Sequence, residues 1–102
     1  MPRPLRATAA LPAGPQVTSL AALGHLVRRQ RVASGLRIDD AAALCGVSVS
    51  LLSRLENGRS GVSTDRLLKV LDALGLAMLV LDSAKLRKAL RALAEHEAPQ
   101  AR

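Results

Sequence analysis

The stretch that most limits how this chain can fold is residues 38 to 57, IDDAAALCGVSVSLLSRLEN, in which Gly46 separates two short segments of helical period. Two helices joined so tightly must cross at a steep angle. That crossing needs a small residue at the contact, here Ala42, and a residue that tolerates positive φ in the turn, here Gly46. It also needs apolar side chains that pin the second helix to the first, and Ala41, Cys45, Val47, Leu52 and Leu55 stand in register for this role. The ending Glu56-Asn57-Gly58 closes the second segment.

The flanks continue the helical pattern. Thr18 or Ser19 is placed to cap a first helix in which Leu20, Leu23, Leu26, Val27 and Gln30 lie along one side, while Arg28, Arg29 and Arg31 fan over other faces. Ser34-Gly35 should end it. A loop by composition, GRSGVS over 58 to 63, precedes a fourth helix opened by Ser63 or Thr64, with Leu67, Val70, Leu71 and Leu74 as its apolar stripe and Gly75 as its stop. The apolar run that follows, Leu76 to Leu81, is too short for a helix and predicts a strand over 77 to 82. A lone strand leaves its backbone groups unpaired, so Ala77, Met78, Leu79, Val80 and Leu81 are expected to pair with a second chain. Ser83 is then placed to cap a last helix, with the tail from about Glu95 fraying. The expected fold is all-α: five helices with a short C-terminal strand that pairs across a dimer. The expected divisions are a basic arm over 1–17, a helical domain over 18–82, and a C-terminal helix and tail over 83–102.

Charge bears on what such a domain meets. Residues 1 to 38 carry six arginines and no acid, +6, whereas residues 39 to 102 carry nine basic and eight acidic residues, +1, making the net +7. An anionic partner follows, with nucleic acid ahead of a membrane surface. Phe, Tyr and Trp are absent, which argues against single strands, since these are usually held by base stacking on aromatic rings. Duplex DNA needs no such platform. The single cysteine, Cys45, permits neither an internal disulfide nor a thiolate cluster, and there is no secretory h-region and no run of 18 apolar residues. A cytoplasmic location is expected. The Arg-containing, acid-free N-terminal stretch has the composition of a transit peptide, but Pro2, Pro4, Pro12 and Pro15 spoil an amphipathic helix there.

The segment GLRIDDAAALCGVSVSLLSRLENG, residues 35 to 58, resembles the lambda-repressor/Cro-type, or XRE, helix-turn-helix family, and the likeness extends over residues 23 to 81. The resemblance implies a lambda-repressor-like domain whose third helix enters the major groove of duplex DNA. Carried over by the motif, Ser48, Val49, Ser50, Ser53 and Arg54 are expected to face DNA, and Asn57, Arg59 and Ser60 to contact phosphates. Arg54 is the candidate for bidentate recognition of guanine, against a neighbouring backbone contact or a surface ion pair with Asp65 or another acid. Ser48 can cap the helix whose N-terminus would approach a phosphate. Where the family usually has Gln at the start of the second helix, this chain has Ile38, so that phosphate contact is absent or passes to Arg37.

A second, shorter likeness covers ALGLAMLVLD, residues 73 to 82, which is similar to the end of HipB-like antitoxins. It implies an autoregulating repressor, a homodimer on a near-palindromic operator, and a HipA-like serine/threonine kinase toxin as partner; the alternative is a stand-alone repressor. Elsewhere the residues suggest little chemistry. Cys45 belongs to the core plug, His25 and His96 are unclustered, and no serine sits in a nucleophile-elbow setting. No enzyme activity, cofactor or metal is expected.

Overall fold

The computed structural model describes residues 15–97, and the description below is confined to them. Most of the expected arm over 1–17 and the end of the tail therefore lie outside the described residues. Five helices are present among them: α1 (Leu20–Ala33), α2 (Ile38–Cys45), α3 (Val49–Glu56), α4 (Thr64–Ala73) and α5 (Ser83–Glu97).

Local chemistry accounts for most of the boundaries. Ser19 Oγ accepts the Ala22 N–H at 3.0 Å, Ser48 Oγ the Leu51 N–H at 3.0 Å, and Ser63 Oγ the Arg66 N–H at 3.3 Å, each satisfying one of the orphan donors at a helix start. Gly46 has φ +72°, so the left-handed turn between α2 and α3 comes without the steric penalty that a Cβ would bring. The start of α5 differs from expectation. The acceptor there is Asp82, whose Oδ1 takes the Lys85 N–H at 2.9 Å, and Ser83 is already inside the helix. A carboxylate at that end also gains from the helix dipole.

The core gathers Val27 from α1, Ala41, Ala42 and Cys45 from α2, Leu52 and Leu55 from α3, and Val70, Leu71 and Leu74 of the fourth-helix segment. Val27, Leu52 and Val70 are its fully enclosed larger side chains. Val47 and Ile38 pack against it half-buried. Gln30 Nε2 donates to the Leu74 carbonyl at 2.9 Å, so α1 supplies a partner for an orphan acceptor at the end of α4.

Beyond Gly75 the packing thins. Residues 76–82 form neither helix nor strand in the single chain; Met78, Leu79 and Val80 are 54%, 75% and 83% exposed, and Leu81 is half-buried. No residue of α5 with a described side chain is fully buried. No helix among the described residues is long and apolar enough to cross a membrane.

Candidate nucleic-acid interface

The third helix is held from behind and open in front. Leu52 and Leu55 fix its inner side in the core, which turns Ser50 and Arg54 to solvent and leaves Val49 44% exposed. Ser48, at the N-cap, has extended backbone with φ −77° and ψ 156° and is exposed, so the start of α3 lies at the surface. At the other end Asn57 Nδ2 donates to the Ser53 carbonyl at 2.7 Å and approaches Ser53 Oγ at 3.4 Å, tying these two side chains together. The Arg59 N–H donates to the Arg54 carbonyl at 3.0 Å, folding the chain back beneath the helix end.

The result is a shallow open cleft of about 220 Å³ lined by Ser50, Ser53, Arg54, Asn57 and Arg59. These five residues, all singled out from the sequence, are thus brought together. Ser48 and Val49 stand at the amino end of the same helix, and Ser60 is exposed in the following loop. Arg37 belongs elsewhere: it occupies the N-cap position of α2 without a side-chain capping bond, and its guanidinium lies 3.3 Å from Asp39, both side chains being well exposed. An exposed pair of this kind is worth at most about 1 kcal/mol and leaves Arg37 free to exchange partners. The Ile38 departure has a structural counterpart, since the side chain is half-buried against the core.

Neither Arg54 nor Arg59 forms an ion pair among the described residues, and the contemplated Arg54–Asp65 pair is not made. Their charge is therefore available to an external anion. Arg31 is the contrast. Sequence periodicity put it on an outer face with Arg28 and Arg29, yet its Nε and Nη2 donate to Glu56 Oε2 and Oε1 at 2.7 and 3.0 Å, and its Nη1 donates to the Leu36 carbonyl at 2.9 Å. The side chains of the pair are only 12% and 5% exposed. The hydrogen bond to Glu56 chiefly, and the charge of that carboxylate secondarily, hold the Arg31 pKa above its ordinary value despite the opposing cost of burial. This fork clamps the end of α3 to α1 and to the turn before α2.

Two glycines complete the clamp. A Cβ on Gly24 would run into the Leu55 carbonyl oxygen, and one on Gly58 would stand 2.7 Å from the Ala21 Cα, so backbone meets backbone at both crossings. A glycine inside a helix costs about 1 kcal/mol relative to Ala, and that cost was the available hint that Gly24 is there for close approach. Cys45 fills the core as expected, and burial pushes its thiol pKa up, away from the reactive thiolate.

A short capped helix that shares its core contacts with the helix before it across a glycine turn, with a polar and cationic outer face, defines a helix-turn-helix DNA-binding regulator. The chain belongs to the helix-turn-helix domain family, whose model matches residues 22–82. Its fold is similar to that of HipB in a HipA–HipB–O2–O3 complex, with TM-score 0.62 and 21% identity over 69% of this chain and 99% of that one. HipB in complex with an O4 20mer likewise gives TM-score 0.62 and 21% identity over 69% and 99%. The clp gene regulator ClgR from Corynebacterium glutamicum is 30% identical over 84% of this chain and 100% of that one, with TM-score 0.53. No curated protein sequence matches significantly.

Proposed function

We propose that the chain is a sequence-specific transcriptional repressor that binds duplex DNA as a homodimer, with α3 in the major groove. The observation that carries this reading is the unpaired Arg54 on the outer face of α3, set in a cleft with Ser50, Ser53, Asn57 and Arg59. Arg54 reads guanine through two hydrogen bonds, Val49 meets a thymine methyl, and Ser50 and Ser53 bond base edges. Ser48 at the helix end, Asn57, Arg59, Ser60 and Arg37 hold the phosphates.

Binding isotherms on the operator and on random duplex at several salt concentrations test these roles. Arg54→Ala is expected to cost about 1–3 kcal/mol on the operator and much less on random DNA. Arg59→Ala should weaken both alike and reduce the salt slope by about one. Equal losses on both duplexes from Arg54→Ala would make that residue a backbone contact, and unchanged binding would remove α3 from the interface.

The dimer is formed through Ala77, Met78, Leu79, Val80 and Leu81, which pair as a strand with the same segment of a second copy. Three highly exposed apolar residues in a row, Met78 to Val80, support this, because a monomer would leave them in water. Two-fold symmetry then implies a near-palindromic operator. Sedimentation at micromolar concentration should give twice the chain mass, and Leu79→Pro, which removes a donor from the paired strand, should lower it. A monomer in both cases contradicts the strand-paired dimer.

Within this reading the chain is the antitoxin of a toxin–antitoxin operon, bound to a HipA-like kinase through surfaces away from α3. The fold likeness to HipB and the ALGLAMLVLD segment support that role. The higher identity to ClgR favours a stand-alone regulator instead. Recovery of a kinase-related protein with this chain from its native host separates the two.

A further inference from the structure

Arg54 lies on α3 and Gly61 in the loop that follows, yet a Cβ at position 61 would stand 3.3 Å from Arg54 Nη1 and 3.9 Å from its Cδ. The guanidinium therefore lies beside the space that a side chain at position 61 would take. The wall behind it is anchored on both sides. At Gly58 the loop presses on the α1 backbone, Val62 packs half-buried against the core, and Ser63 caps α4. Of these two neighbours the loop is held, and the exposed arginine is the one able to move.

We propose that Gly61 is a positioning residue for Arg54: the missing side chain makes a seat that restricts the guanidinium before DNA arrives. The inference rests on reading Arg54 as the base-contacting side chain. An exposed arginine loses rotamer freedom when it docks, and a seat that has already removed part of that freedom strengthens the bond to the correct base. Random DNA, where Arg54 finds no matched base, gains less. Gly61 thereby acts on discrimination between sequences without touching DNA.

The test uses Gly61→Ala, Arg54→Ala and the double variant, with Gly35→Ala as the control. Gly35 shares the positive φ, +73° against +94°, but a Cβ there meets nothing within 4 Å, so it reports backbone strain alone. In the DNA-free protein, ¹⁵N relaxation of the arginine Nε–H groups should show Arg54 more ordered than Arg59, and Gly61→Ala should abolish the difference. The operator is a duplex selected by the wild-type protein from a random pool. Gly61→Ala should reduce the preference for it over unselected duplex by about 3- to 10-fold, the range expected for freeing one flexible side chain. In the Arg54→Ala background it should reduce the preference no further. An unchanged Arg54 Nε–H, or the same fall in preference with and without Arg54, overturns the proposal. Equal weakening on both duplexes, matching Gly35→Ala, also overturns it. A wild-type protein with no preference for any duplex refutes the DNA reading instead, while the relaxation measurement still decides whether Gly61 seats Arg54.

Discussion

Replacing Glu56 with alanine is expected to cost about 2–3 kcal/mol of folding stability, because it leaves the half-buried Arg31 guanidinium without the carboxylate that accepts two of its hydrogen bonds. A domain of this size has about 5–15 kcal/mol in total, so the variant loses a sizeable share of its stability. The fork from Arg31 to both oxygens of Glu56, with its third bond to the Leu36 carbonyl, joins α1, the end of α3 and the turn before α2. Chemical denaturation measures the loss as a fall in midpoint at unchanged slope. Arg31→Met combined with Glu56→Leu should recover most of the stability, since removing both charges also removes their desolvation cost. A loss below about 1 kcal/mol for Glu56→Ala would put the pair in the class of exposed ion pairs and contradict the clamp.

Gly24→Ala is expected to destabilise by about 2 kcal/mol, against the direction of helix propensity. In an exposed helix interior this substitution stabilises by about 1 kcal/mol. Here the new methyl would collide with the Leu55 carbonyl oxygen and lie 2.8 Å from that of Glu56, and backbone atoms cannot rotate away. Helix α1 must move off α3, an overpacking cost of about 3 kcal/mol that outweighs the propensity gain. Because α3 carries the candidate recognition surface, operator binding should weaken with stability. A variant as stable as the wild type would show that the two helices are not in backbone contact at Gly24.

The helices themselves were legible because their signals are local. Ser19, Ser48 and Ser63 cap the helices at which their side chains sit, and Gly46 and Gly35 turn the chain where the apolar period breaks. The outer face of α3 followed from the same periodicity: once Leu52 and Leu55 are inside, Ser50 and Arg54 must be outside. The cap of α5 falls at Asp82, one residue before the Ser83 that the sequence suggests, since both carry a side-chain acceptor suited to capping.

What the sequence determined by itself is therefore the set of helices, the turn at Gly46, the apolar plug of the core and the polar face of α3. All depend on residues within a turn or two of one another. The tertiary structure alone decided that Arg31 is a half-buried clamp while Arg28 and Arg29 stay in solvent, that Gly24 and Gly58 are points of backbone contact, and that Arg54 and Gly61 are neighbours. Arg31 and Glu56 are 25 positions apart. Helical period gives only the direction in which each side chain leaves its own axis. Whether two such directions meet depends on the angle and distance at which the helices cross, and the packed core sets both.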